Sequence, residues 1–204
     1  MANYKQFSLI IILLFFFSPQ VFGQESDRII HYKVRSEVTI NGTSNVKNFT
    51  CTAIKDYYQN PNKVIVTRNP GIFTYQNAIV HINVDNFDCH MNKMTKVMKQ
   101  TLQAEKYPTV IVEIKKIKLP DQRMTRLENG DNIVADADVT IAGKTKSYKI
   151  AFENVIIEKN KLVTFNGKLD LDMTAHDIVP PTVMGFIKVS QHISIDFILN
   201  FKVL

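Results

Sequence analysis

The C-terminal stretch "HISIDFILNFKVL", residues 192–204, decides the fold class, because an apolar side chain occupies every second position in it. Successive side chains of a β-strand point to opposite faces, so this strand has one apolar face along its whole length. The residues on that face are Ile193, Ile195, Phe197, Leu199, Phe201 and Val203. The pattern predicts a long strand with one face buried.

The same alternation recurs in six shorter stretches, from "KVRSEVTING" at residues 33–42 to "TFNGKLDLDM" at residues 164–173. Many strands with one apolar face each and short links between them predict an antiparallel sandwich or barrel. A barrel of about eight strands has an interior that side chains fill or that holds one small ligand. Alternation takes the same form in both cases, so a filled core and a lined cavity both stay open.

One segment, "NKMTKVMKQTLQAEKYP" at residues 92–108, breaks the alternation. Met94, Met98 and Leu102 are spaced four residues apart, with lysines between them. That spacing predicts an amphipathic helix near residues 92–106, stopped before Pro108. A methionine stripe of this kind is typical of packing, here across one end of the strand assembly.

The stretch "IVPPTVMGFIKV", residues 178–189, predicts an interruption of the sheet that is unusually apolar for a loop. Two related stretches, "VTINGTS" at 38–44 and "VTIAGKT" at 139–145, each predict a strand that runs into a glycine turn. Further turns are predicted at "NPNK" (60–63), "RNPG" (68–71) and "ENGDN" (128–132).

The N-terminal residues 1–23 have the pattern of a secretory signal peptide, with Lys5 before an apolar run from Phe7 to Phe17. That run is shorter than the roughly 20 residues of a transmembrane helix, and no later stretch approaches that length. We therefore expect an exported protein, periplasmic or secreted, with one domain over residues 24–204. Removing Lys5 lowers the formal net charge from +6 to +5.

Cys51 and Cys89 are the two cysteines of the chain. An oxidising compartment favours a disulfide between them. A metal or redox site with Cys89 and His90 is the alternative, but neighbouring residues of a strand point to opposite faces.

The sequence lacks the signatures of common enzyme classes: it contains no G-x-S-x-G, no H-E-x-x-H, no P-loop and no G-x-G-x-x-G. The carboxylate pairs Asp136/Asp138 and Asp170/Asp172 lie opposite the apolar strand faces, which favours a solvated outer wall. The five histidines lack metal-ligand spacing, and the lysine clusters lack the aromatic interleaving of RNA-binding proteins. We therefore predict a non-enzymatic protein without cofactor, metal or nucleic-acid partner.

Four motifs in order resemble the YceI-like family of exported bacterial proteins: "SEVTINGTSNVKNFTC", "MTKVMKQTLQAEKYPTVIVEI", "VTIAGKTKSYKI" and "MTAHDIVPPTVMGFIKVSQHISIDFIL". The resemblance covers almost all of residues 30–204. It implies a mostly β fold, an eight-stranded antiparallel lipocalin-like β-barrel with a helix near one end and an elongated internal pocket. It also implies that the pocket binds an amphiphilic polyisoprenoid lipid, quinone-like or prenyl-phosphate.

On this basis the inward strand faces are the candidate ligand-binding surface. The bulky lining is predicted to come from Tyr148, Phe152, Phe165 and Phe197, with Val112, Ile141, Leu169 and Ile195 beside them. The apolar loop would form the entrance through Val183, Met184 and Phe186. A polar headgroup would lie near His176 or Lys188.

Two other functions remain open from the sequence. A filled barrel would be an envelope stress or interaction protein without a small ligand. An amide hydrolase would need titratable groups inside the cavity, which the apolar strand faces do not offer. Outer strand faces leave a homodimer open as well.

Overall fold

A computed structural model describes residues 28–59, 63–119, 133–158 and 162–203, with the backbone alone described at 55–59, 157 and 203. The predicted signal peptide, the turn predicted at 128–132 and residues 60–62 of the "NPNK" turn lie outside the described residues. Twelve strands and one α-helix are described: β1 (Arg28–Ile30), β2 (Tyr32–Ser44), β3 (Phe49–Gln59), β4 (Val64–Asn69), β5 (Ile72–Asn83), β6 (Phe87–Asp88), α1 (Asn92–Thr101), β7 (Thr109–Lys118), β8 (Ile133–Ile141), β9 (Lys144–Ile157), β10 (Leu162–Asp172), β11 (Thr182–Val183) and β12 (Ile187–Val203).

These strands form an antiparallel barrel of eight long strands. Only His31 separates β1 from β2, so these two form one interrupted strand. The strand beside it is interrupted in the same way, because β2 pairs with β3 and β1 pairs with β4. The pairing then runs through β5, β7, β8, β9, β10 and β12, and β12 pairs with β2 to close the ring. The predicted mostly β, antiparallel barrel fold is therefore confirmed, whereas the strand count differs: twelve strands are described instead of eight, because two long strands are interrupted and β6 and β11 are short additions.

The predicted alternation sets the inside and outside of each strand. On β8 every odd-numbered residue from Ile133 to Ile141 is buried. Asp136 on the outer face lies 3.0 Å from Nζ of Lys149 and 3.6 Å from Nζ of Lys118. The hydrogen bond from Lys149 holds the pKa of Asp136 below its ordinary value. The outer carboxylates thus take part in cross-strand ion pairs.

Aromatic side chains fill the end of the barrel at which β2 begins and β12 ends. The ring of Phe165 lies 4.9 Å from that of Phe152 and 5.6 Å from that of Phe201, centroid to centroid. Tyr32 packs edge-on against Phe201 and donates a hydrogen bond of 3.0 Å to the carbonyl of Ile79 on β5. Unfilled interior space is therefore confined to the rest of the barrel.

Helix α1 crosses the opposite end, as predicted, but it is shorter than expected. It ends at Thr101 rather than near residue 106, because Gln103 adopts a left-handed conformation with φ of 53°. The chain continues in turns, and the amide of Tyr107 donates to the carbonyl of Gln103. This ending lets the side chain of Leu102 point into the barrel core, where it is buried.

The two glycine stretches differ in the structure. "VTIAGKT" forms the predicted hairpin: Ala142 and Gly143 have φ of 47° and 77° between β8 and β9, as in a tight two-residue turn. The prediction for "VTINGTS" is wrong, because Gly42 lies within β2. The ring of Phe49 packs directly on the backbone of Gly42, where any side chain would overlap it. This glycine allows a close approach rather than a turn.

The predicted disulfide between Cys51 and Cys89 is confirmed. Cys51 lies on β3, and Cys89 lies between β6 and α1. Two pairs, Thr52 with Asp88 and Ala53 with Phe87, join β3 to β6 beside the bond. The bond therefore ties the segment that leads into α1 to the barrel wall.

Candidate functional site

An enclosed cavity of about 90 Å³ lies inside the barrel, and every side chain that lines it is apolar. Strands from the whole circumference contribute to it, together with Leu102 at the end of α1. The lining residues are Val38, Ile40, Val80, Ile82, Phe87, Leu102, Val110, Val112, Ile114, Ala135, Val139, Ile141, Ile150, Phe152, Leu169, Ile193, Ile195, Phe197 and Leu199.

The packing around the cavity is uneven. On β8 the lining residues Ala135, Val139 and Ile141 are fully buried. On β12 the inward-facing Ile195 and Phe197 are only half-buried although the same space surrounds them. Native cores leave few voids larger than a water molecule, so half-buried apolar residues on an inner face mark a wall that lacks packing partners. Val110 and Val112 on β7 and Ile40 on β2 are half-buried as well, so the loosely packed wall includes β12, β7 and β2.

Two further apolar spaces lie between this cavity and the surface. A pocket of about 50 Å³ beneath α1 shares Ile40, Leu102 and Ile193 with the cavity. A surface groove of about 290 Å³, hereafter the outer groove, shares Phe49 and Met94 with that pocket. Three apolar spaces therefore follow one another from the surface, beneath α1, into the barrel, and the shared side chains stand between them.

The outer groove lies between the β2–β3 turn, the start of α1 and the short β11–β12 hairpin. Its lining includes Val46, Met91, Val183, Met184 and Ile187. Lys47 and Lys93 also line it, which places two cations beside an otherwise largely apolar surface.

The predicted apolar loop is this β11–β12 hairpin. Its tip, residues 184–186, turns with φ of 55° at Met184 and 79° at Gly185. The side chains of Met184 and Phe186 are 61% and 62% exposed, whereas that of Val183 is buried. Asn45 fixes the hairpin: its Nδ2 donates to the carbonyl of Phe186 at 3.1 Å, and its Oδ1 accepts from the amide of Lys188 at 2.8 Å.

The structure brings six of the eight predicted lining residues together on the cavity wall. These are Val112, Ile141, Phe152, Leu169, Ile195 and Phe197. Phe165 lies instead in the aromatic cluster, and Tyr148 lies outside the lining. Of the predicted entrance residues, Val183 and Met184 line the outer groove, and Phe186 projects from the tip beside them.

His176 is buried and bonded through both ring nitrogens, so it lies in the barrel rim rather than facing a ligand. Its Nδ1 lies 2.9 Å from the carbonyl of Lys144, which can only accept, so Nδ1 donates. Its Nε2 then accepts from Oη of Tyr148 at 2.8 Å. Burial lowers the pKa of His176 and raises that of Tyr148. The pair joins β9 to the 3-10 helix Met173–His176.

Several site residues were not named from the sequence. Leu102 belongs to the helical methionine stripe, and that stripe indicated packing but not a place in the cavity wall. Phe49 and Phe87 stand near turns, where alternation gives no orientation. Only their positions beside α1 show that they line the cavity or the path to it.

Two features are absent from the described residues. No group of three or more His, Cys, Asp or Glu side chains within residues 28–59, 63–119, 133–158 and 162–203 is placed to hold a metal ion. Over the same residues, no helix combines the length and the apolar character needed to cross a membrane.

A closed antiparallel barrel, capped by a helix and enclosing an apolar cavity, defines the lipocalin-like class of binding folds. Residues 63–201 match the sequence profile of the YceI-like domain. The chain therefore belongs to the YceI-like domain family.

Solved structures with the same fold include BcnA from Burkholderia cenocepacia, which is 15% identical with a TM-score of 0.56. That match covers 81% of this chain and 95% of BcnA. A polyisoprenoid binding domain from Saccharophagus degradans, implicated in plant cell wall breakdown, is 10% identical with a TM-score of 0.54, covering 87% of this chain and all of that domain. No curated protein sequence matches the chain significantly.

Proposed function

We propose that this protein is an exported, non-enzymatic carrier that holds the tail of an amphiphilic polyisoprenoid, quinone-like or prenyl-phosphate, in its barrel cavity. The signal-peptide pattern supports a periplasmic or secreted location with residues 24–204 as the mature domain. Membership of the YceI-like family and the fold shared with a polyisoprenoid binding domain support the ligand class.

The observation that carries the proposal is the wholly apolar cavity, with two further apolar spaces between it and the surface. A buried hydrocarbon tail gains about 0.8 kcal/mol for each methylene removed from water. About ten such groups would contribute roughly 8 kcal/mol before the cost of ordering the tail. A headgroup would stay in the outer groove, where Lys47 and Lys93 supply positive charge, with Lys188 on the adjacent hairpin strand but outside the groove lining.

The cavity must widen to hold such a tail. Ligand pockets usually measure about 300–1,000 Å³, whereas this one measures about 90 Å³. Widening is easiest at β12, where inward side chains are only half-buried, and beneath α1. The bound form therefore differs from the structure described by outward movement at these two places.

The small cavity also supports a second candidate, a filled barrel that acts in the envelope through protein contacts. The aromatic cluster around Phe165 already fills the end opposite α1. An amide hydrolase receives no such support, because the cavity wall offers no titratable side chain.

Mass spectrometry separates the two candidates. Residues 24–204 are produced in a bacterial periplasm, purified without detergent and weighed under native conditions before and after organic extraction. A carrier retains a stoichiometric prenyl-type lipid that extraction removes. A stable, lipid-free protein that takes up no added isoprenoid overturns the proposal and favours the filled barrel.

Matched tryptophan variants on β12 test the site itself. Ile195→Trp places a larger side chain in the cavity, and Ile198→Trp places it on the outer face of the same strand. We expect the first variant to lose most of the bound lipid and the second to retain it. Equal retention by two folded variants would contradict the internal site. Leu169→Trp provides a second block from β10.

A further inference from the structure

The exposed apolar residues of this protein concentrate at the α1 end of the barrel. Among the described residues eight large apolar side chains are exposed, and five of them lie at this end: Val46, Met91, Val179, Met184 and Phe186. The others, Ile29, Ile54 and Ile198, lie singly on strands of the barrel wall. Single exposed residues are ordinary, whereas a cluster marks an interaction surface.

The same end is basic. Lys47 and Lys93 line the outer groove, and no aspartate or glutamate lines it. Lys96 on α1 and Lys188 on β12 add two further lysines at this end. Carboxylates adjoin these segments but have partners: Asp85 is paired with Lys99 at 3.4 Å, Asp177 is paired with Lys144 at 2.8 Å, and Asp88 accepts a hydrogen bond from Thr95. An apolar projection surrounded by cations is complementary to an anionic lipid surface.

The projection is held in place before any partner binds. The side chain of Asn45 bonds to Phe186 at the tip and to Lys188 on β12, and its backbone amide donates to the carbonyl of Lys188 at 3.1 Å. The exposed rings and thioethers therefore need little ordering when they enter another apolar phase, which lowers the cost of binding.

We propose that the tip at residues 184–186, with Val46 and Met91 beside it, docks the protein on an anionic lipid bilayer. The apolar side chains enter the acyl boundary and the lysines contact lipid phosphates. The outer groove then opens onto the bilayer, and a lipid tail can pass beneath α1 without crossing water. The docking proposal depends only on this surface and is independent of the ligand that the barrel binds.

Co-sedimentation with vesicles tests the docking. Residues 24–204 are mixed with vesicles of equal parts phosphatidylglycerol and phosphatidylcholine, or of phosphatidylcholine alone. We expect sedimentation with the first set only, weakened by added salt. These vesicles contain no isoprenoid. A protein that does not sediment with them therefore contradicts the docking proposal but not the ligand proposal, and a protein without bound lipid in mass spectrometry contradicts the ligand proposal but not the docking.

Paired variants locate the contact. Met184→Asn combined with Phe186→Asn should lower the bound fraction at least about tenfold, since two large apolar side chains no longer insert. Ile54→Asn combined with Ile198→Asn removes two exposed apolar residues from the barrel wall, 52% and 38% exposed, and should leave binding unchanged. Replacing Lys47, Lys93 and Lys188 with glutamine should weaken anionic binding about fivefold per residue.

Three results would overturn the docking. The wild-type protein could fail to sediment with anionic vesicles, or the tip variant could sediment as well as the wild type. Size-exclusion chromatography could also show a wild-type dimer that the tip variant converts to a monomer. The last result would assign the surface to a second copy of the chain.

Discussion

Replacing Gly167 with alanine should destabilise the protein by about 1–2 kcal/mol, because an aromatic ring occupies the space that the methyl group needs. Gly167 on β10 pairs directly with Phe197 on β12. A Cβ atom at residue 167 would overlap Cζ of the Phe197 ring and lie 2.8 Å from its Cε2 atom. It would also lie 3.0 Å from the carbonyl oxygen of Ala151, which is backbone and cannot turn away.

Two opposing contributions determine how much Gly167→Ala lowers the free energy of unfolding. Forcing an extra methyl group into packed structure costs about 1–3 kcal/mol. Replacing a glycine restricts the unfolded chain and returns about 0.4–1 kcal/mol. The net loss of about 1–2 kcal/mol is measurable as a lower midpoint of urea unfolding. Since Phe197 lines the cavity, its displaced ring should also reduce lipid retention.

A double-mutant cycle identifies the cause. Gly167→Ala, Phe197→Leu and the double variant are unfolded in urea beside the wild type. With leucine at residue 197 only the contact with the Ala151 carbonyl remains, so the alanine should cost clearly less, which gives a coupling energy of about 1 kcal/mol. Gly185→Ala is the control: open space surrounds it, and its cost comes from φ of 79° alone. The reasoning fails if Phe197→Leu leaves the cost of Gly167→Ala unchanged.

Three further predictions concern the connections around the site. Opening the Cys51–Cys89 disulfide should lower the free energy of unfolding by about 4 kcal/mol on the chain-entropy model, checked by urea unfolding with and without a reductant; equal midpoints would contradict it. Because burial lowers the pKa of His176, the unfolded chain binds its proton more readily, so stability should fall as pH drops below about 6.5. The variant His176→Gln should show a flatter pH profile, and parallel profiles would refute the assignment. Gly143→Ala should lower the stability of the protein more than Gly185→Ala. Both glycines have positive φ, 77° and 79°, but at residue 143 the new Cβ atom would also lie 2.5 Å from Cε1 of Tyr107. Tyr107→Leu should remove this difference, as measured by thermal unfolding.

Alternation was enough to predict antiparallel strands with one apolar face each, in a sandwich or a barrel, because it reports a single property, the side of the sheet that each residue faces; the choice of a barrel came from the resemblance to the YceI-like family. Alternation separated Ala135 and Val139 from Asp136 and Asp138 on β8 without any knowledge of the neighbouring strands. The spacing of Met94 and Met98 predicted the helix in the same way, from the geometry of a single element. These features depend on the geometry of one element, so one sequence contains them in full.

Depth along the barrel axis is a different property, and alternation does not report it. Tyr148, Phe152 and Phe165 all satisfy the pattern for inward side chains. The strand register places Phe152 at the cavity, Phe165 in the aromatic cluster and Tyr148 at the rim beside His176. The strand register depends on bulges such as the one between Asn166 and Gly167, and the sequence pattern did not indicate a bulge there.

The role of Gly42 shows a related limit. A glycine after an alternating stretch usually signals a turn, and at Gly143 it does. At Gly42 the glycine instead accommodates the ring of Phe49 from the adjacent strand, a contact that depends on pairing across the β2–β3 hairpin. The two sequences look alike because a turn and a close approach both exclude a side chain.

The attachments of α1 indicate how the small cavity could widen, as the proposed lipid binding requires. None of the residues within α1 is buried, and its polar contacts go mostly to its own connecting segment: Lys99 to Asp85, and Thr95 to Asp88 and Cys89. The disulfide anchors that segment to β3. Methionines and Leu102 supply the apolar contacts with the barrel, and methionine side chains adapt readily to new surroundings. Lifting α1 about its anchored start would therefore open the path beneath it while leaving the barrel hydrogen bonds intact.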